Sequence, residues 1–108
     1  MVKRKIDREI IDTIEKYIAE VSKHYKVDDA LLFGSFAKGE QTKDSDIDIA
    51  VISSDIKDTY DDMIKLMALR WNVDLRIEPH PFKTEEFQAN KTPFINEIKK
   101  TGVQIKLI

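Results

Sequence analysis

There is no cysteine anywhere in these 108 residues, so disulfides and thiolate metal sites are both excluded. A reducing cytosol suits such a chain. Long apolar runs are also missing. The opening MVKRKIDREIIDTI is basic but has no uninterrupted apolar core, and no stretch approaches the roughly 18 apolar residues of a membrane span. Charge of one sign is lacking too: charged residues make up 35% of the chain, yet the net charge is -2. Global electrostatics therefore give no argument for a nucleic-acid partner. There is no internal repeat, linker or low-complexity segment. What remains is a cytoplasmic globular chain, 42% hydrophobic, read as one domain over residues 1–108.

The apolar positions 6, 10, 11, 14, 17, 18 and 21 have helical spacing, with charged residues on the opposite side. DALLFGS reads as a short buried strand ending at Gly34. Residues 35–38 follow as a turn of helix and 39–45 as a polar loop. IDIAVIS alternates and is rich in Ile and Val, so residues 46–52 are read as a strand. DTYDDMIKLMALRW returns to helical spacing through Tyr60, Ile64, Met67 and Trp71, with Asp58 or Thr59 as N-cap. VDLRIE is a third strand, stopped by Pro79-His80-Pro81. Residues 84–89 and 93–101 are two short helices, with Pro93 in a first turn and Gly102 as a stop. VQIKLI closes the chain as a strand. The order α-β-turn-β-α-β-α-α-β implies an α/β or α+β domain.

The stretch GSFAKGEQTKDSDIDIAV, residues 34–51, carries the chemistry. Side chains alternate along a strand, so Asp46 and Asp48 share one face while Ile47, Ile49 and Val51 share the other. Two carboxylates so placed repel each other unless a cation or proton lies between them. Asp74, in VDLRIE, joins them if the two strands are neighbours. Three carboxylates make a site for a hard divalent cation such as Mg²⁺. A plainer reading, acids at a solvated strand end, suits an isolated D-x-D. Two further motifs fail on a named residue. Asp44, Asp46 and Asp48 imitate the start of an EF-hand loop, but Ile49 stands where glycine is needed. Gly34 and Gly39 have P-loop spacing, but Glu40-Gln41 follow in place of Lys-Ser/Thr. Gly34 lets backbone approach a ligand, and Ser35 with the N–H groups after it can receive phosphate oxygens. Lys38 offers a nearby positive charge, although a surface lysine needs no special role. Such a set suits metal-assisted attack on a nucleoside triphosphate.

The same residues resemble the DNA polymerase beta-like nucleotidyltransferase superfamily, and within it the minimal nucleotidyltransferase (MNT) branch. Its pattern, G-S-x-A-[RK]-G-x(5,6)-S-D-[IVL]-D-[LIV], is met by residues 34–49. The resemblance implies the nucleotidyltransferase fold, a small mixed sheet of about four strands flanked by helices. It implies that Asp46, Asp48 and Asp74 are the catalytic and metal-binding residues, holding two Mg²⁺ ions. It also implies that Gly34 and Ser35 bind the triphosphate, probed as well by Lys38, and that AMP passes from ATP to an acceptor hydroxyl. MNT proteins often act as antitoxins that adenylylate a HEPN-type toxin, which makes a HEPN-type protein the expected partner. Two alternatives stay open: a non-catalytic nucleotide- or partner-binding module, and a small-molecule nucleotidyltransferase working as a homo-oligomer.

Outside the motif the functional readings are weaker. Arg76 shares a face with Asp74, for a phosphate or a plain salt bridge. His80, between two prolines, reads as a turn residue at the rim of the site. His24 and the Lys99-Lys100 pair suit helix C-termini. Trp71 with Met63 and Met67 reads as helix packing, and Tyr60 reaches a base only if its loop folds back.

Overall fold

The computed structural model describes residues 6–107. Helix α1 (Arg8–Val21) buries Ile10, Ile14, Tyr17, Ile18 and Val21, the stripe expected from their spacing. The Asp7 side chain caps it by accepting the Glu9 N–H at 2.9 Å. Strand β1 (Asp29–Phe33) leads through Gly34 into a single helical turn, α2 (Ser35–Lys38), which Gly39 ends in a left-handed conformation. Strand β2 (Ile47–Ser53) follows, then α3 (Thr59–Ala68), capped by Asp58, and a 3₁₀ turn at Leu69–Asn72. Strand β3 (Ile77–Lys83), helices α4 (Thr84–Gln88) and α5 (Pro93–Thr101), and the two-residue β4 (Val103–Gln104) complete the order.

The sheet runs β3-β2-β1-β4, with β2 and β3 parallel and the other neighbours antiparallel. This is the mixed, four-stranded α+β arrangement expected. One face, with Ala30, Leu32, Ile47, Ile49, Val51 and Ile77, packs with α1, α2 and Leu66 of α3. The other, with Leu31, Phe33, Ala50 and Ile52, packs against Phe87 of α4 and Ile95 and Ile98 of α5. The buried Tyr17 hydroxyl donates to the Leu66 carbonyl at 2.6 Å and joins α1 to α3.

Three expectations need correction. The third strand does not span residues 73–78 and stop at Pro79. It starts at Ile77 and continues through both prolines to Lys83. β3 is an edge strand, and the Ile47 N–H donates to the Arg76 carbonyl at 2.8 Å. Backbone groups facing β2 therefore fall on residues 76, 78, 80 and 82, and the missing N–H groups of Pro79 and Pro81 face outward. The last strand shortens to Val103–Gln104, although the Ile105 N–H still reaches the Ala30 carbonyl at 2.9 Å. Ile108 lies outside the described residues. Trp71 is not packed: it is 72% exposed, because the regular helix ends at Ala68.

Candidate active site

Asp48 is flanked in register by Phe33 of β1 on one side and Glu78 of β3 on the other. Gly34, just past Phe33, has φ +75°, and a Cβ built there would collide with the Asp48 carboxylate. Only glycine fulfils both conditions. Phe33 is thus followed by backbone lying directly against the acid, with Ser35 opening α2 beside it. Lys38, at the end of that turn, is partly buried. The loop at 39–45 is closed on itself. The Thr42 N–H donates to Ser45 Oγ at 2.8 Å, and the Ser45 N–H returns to the Thr42 carbonyl at 3.1 Å.

Asp46 and Asp48 lie on the sheet face that continues into Ala50 and Ile52, while Ile47, Ile49 and Val51 are buried on the other. Glu78 sits on the adjoining strand. Burial pushes its carboxyl above the usual range, and a hydrogen bond to Asp46 and the charge of Asp48 push it further, with His80 opposing. His80 Nε2 stands 3.2 Å from Asp48 Oδ1 and 3.8 Å from Glu78 Oε1. Its ring meets Phe33 edge-on at 4.9 Å, and Phe94 lies 5.5 Å from Phe33. The open edge of the second core thereby becomes the floor of the site.

Asp74 is not brought to this cluster. It precedes β3 in a turn, where its carboxylate accepts from the Arg76 backbone N–H and from Arg76 Nε and Nη2 at 2.8–3.1 Å. The hydrogen-bonded Arg76 side chain holds its carboxyl below the ordinary range. The place beside Asp48 belongs to Glu78. Residues 78, 80 and 82 alternate across one strand face, a signal present in EPHPF but masked by treating Pro79 as a strand stop.

As donors, Asp48, Glu78 and His80 can each present a ligand atom within 4.8 Å of the others. With Asp46 against Glu78, the oxygen-rich set fits hard divalent cations, since the crowded carboxylates need a positive charge among them.

The sequence model of the family described as "Polymerase beta, Nucleotidyltransferase" matches residues 15–107. A candidate protein adenylyltransferase of Methanocaldococcus jannaschii is 32% identical over 101 residues, covering 90% of this chain and 96% of that one. In fold, the chain is similar to a candidate nucleotidyltransferase from Sulfolobus solfataricus, with TM-score 0.65 and 21% identity, covering 96% of this chain and 89% of that one. A toxin-antitoxin structure with AMP-PNP gives TM-score 0.64 and 24% identity, covering 91% of this chain and 73% of that one. With Asp46 and Asp48 inside the matched span, at the start of β2, this chain belongs to the polymerase beta nucleotidyltransferase family and is a transferase.

Proposed function

We propose that the chain transfers AMP from ATP to a hydroxyl on a protein partner, acting in the cytoplasm as the antitoxin of a HEPN-type toxin. The observation that carries this reading is that Asp48 of β2 lies against Gly34 and pairs in register with Glu78 of β3, to which Asp46, just before β2, is hydrogen-bonded. The M. jannaschii relative, named for protein adenylyl transfer, supports the acceptor class. The fold neighbour that pairs toxin with antitoxin and carries an ATP analogue supports the donor and the partner.

In this reading Gly34 and Ser35 receive the triphosphate through backbone N–H groups and the serine hydroxyl, with Lys38 adding positive charge. Asp46, Asp48 and Glu78 would hold divalent cations, two Mg²⁺ in this reading, and such ions would supply positive charge against the phosphates and lower the pKa of the acceptor hydroxyl. Glu78 takes the role that the sequence reading gave to Asp74. It accepts the proton as the acceptor oxygen bonds to the α-phosphorus, while the bond to the bridging oxygen breaks and pyrophosphate leaves. His80, hydrogen-bonded to Asp48, holds that carboxylate in its orientation.

The test uses α-labelled ATP, magnesium and the partner that co-purifies with the chain. Label should reach the partner with the wild type and not with Asp48→Ala, although both bind it. Equal neutralisation of the partner by both proteins, with no label transferred, would replace the enzyme by a binding module.

A further inference from the structure

His80 brings a ring nitrogen to the carboxylate end of the sheet, and strand register explains how. Asp48 and Glu78 are paired across β2 and β3, and His80 lies two residues beyond Glu78 on the same strand face. Its own register partner is Ala50, whose methyl group leaves the imidazole room to lean back toward Asp48. Pro79 and Pro81 fix the backbone on either side of it. The ring is wedged between two others, meeting Phe33 edge-on at 4.9 Å and Phe94 at 6.0 Å. Held in this way, Nε2 stands 3.2 Å from Asp48 Oδ1 and 3.8 Å from Glu78 Oε1.

Those separations are close to what a small cation requires of its ligands. Atoms about 2.0–2.1 Å from a tetrahedral ion lie about 3.4 Å from one another, a value between the two distances. All three ligand atoms fall within 4.8 Å of each other, so enclosing an ion needs side-chain rotation and no movement of the strands. A plain ion pair would need one carboxylate, whereas Nε2 faces two, from two strands, at ligand spacing. The donor types then discriminate among cations. Magnesium keeps oxygen ligands in octahedral array and gains little from imidazole. A borderline cation such as Zn²⁺ takes imidazole nitrogen together with carboxylate oxygens and leaves a fourth position to water. Neutral imidazole with two carboxylates also balances a divalent charge.

We propose that Asp48, Glu78 and His80 form a mixed nitrogen–oxygen site that binds one zinc-class cation in the absence of nucleotide. The site shares two acids with the nucleotidyl-transfer reading but does not require that reading. An ion held there occupies Asp48 and Glu78, so zinc competes with the hard cations for the same oxygens.

The chain has two histidines, His24 and His80, so imidazole resonances of the ¹⁵N-histidine-labelled full chain test the site without any substitution. Added Zn²⁺ should move the His80 Nε2 resonance in a saturable way and leave His24 in place. Calorimetric titration of His80→Asn should show Zn²⁺ binding weakened by at least about tenfold, on the scale of a lost metal contact. Mg²⁺ binding should stay within about threefold of the wild type, because its ligands are oxygens. An unmoved His80 Nε2 overturns the proposal, as does a response confined to His24. Equal weakening of Zn²⁺ and Mg²⁺ in His80→Asn also overturns it and leaves His80 as a positioning residue for Asp48. A zinc response at His80 in a chain that binds no MgATP would uphold this site and count against nucleotidyl transfer instead.

Discussion

Gly34 and Asp48 are a pair in which each constrains the other. The acid occupies the volume that any side chain at 34 would need, and the backbone there holds a positive φ besides. A second pair is Asp74 with Arg76, a largely covered carboxylate under an exposed guanidinium, whose charges satisfy each other outside the cluster. The two acids on or before β3 should therefore separate cleanly by substitution. Glu78→Gln is expected to lower the rate of AMP transfer by about 10²-fold or more, on the scale of a lost proton acceptor. Asp74→Ala should leave that rate within about threefold but destabilise the fold by about 1–3 kcal/mol, since it removes the acceptor of the Arg76 backbone N–H as well as the ion pair. Initial rates with labelled ATP, alongside urea unfolding, distinguish them. The reverse ranking would restore Asp74 to the site.

Among the elements, α3 and β3 depart most from simple periodic expectation. The spacing of Tyr60, Ile64, Met67 and Trp71 identified a helix correctly, yet Tyr60, Ile64 and Trp71 face away from the core. What faces inward includes Asp62, only 7% exposed. It accepts the Tyr25 hydroxyl at 2.7 Å and the backbone N–H groups of Lys57 and Asp58 at 2.9 and 3.2 Å. Burial works to raise its pKa, but these hydrogen bonds prevail and hold it below the ordinary value. The unfolded chain, with an Asp pKa of about 3.9, then binds more protons than the folded one as pH falls. The stabilisation is complete above that value and is lost as pH drops through the lower, folded-state pKa. Asp62→Asn should be less stable than the wild type by about 1–3 kcal/mol at pH 7. The gap should narrow toward pH 3. Urea midpoints at the two pH values check this, and a gap independent of pH would assign the loss to packing.

At the scale of the whole molecule, the sheet sits between two separate apolar clusters, and the acids emerge at the end of the second. In the proposed reading, donor binding at that end would join β1, β2 and β3 through Gly34, Asp48 and Glu78. Ligand that binds only the folded chain adds about 2.7 kcal/mol at a hundred times its dissociation constant. For a chain of this size that raises the melting temperature by roughly 10–20 °C on the scale of about 4–8 °C per kcal/mol. Thermal unfolding with MgATP should show this rise in the wild type. It should be largely abolished by EDTA or by Asp48→Ala, and an equal rise without magnesium would remove the metal from the reading.

The residues 34–51 were legible because their information is local. A glycine at a strand end, two acids at alternate positions and an apolar opposite face all follow from the period of a strand. The helix cap at Asp58 is local in the same way. Glu78 was not legible, and His80 was legible only as a turn residue at the rim, because whether Pro79 ends a strand depends on having an open sheet edge beside it, and no local pattern states which strand is outermost. The outward face of α3 was hidden for the same reason: a period shows that a helix has two sides, not which side meets the core. The sequence by itself determined the family's acidic motif, the element order and the Gly34 turn. Only tertiary structure decided which acid stands third beside Asp46 and Asp48, since strand pairing brings together residues whose separation along the chain carries no trace of it.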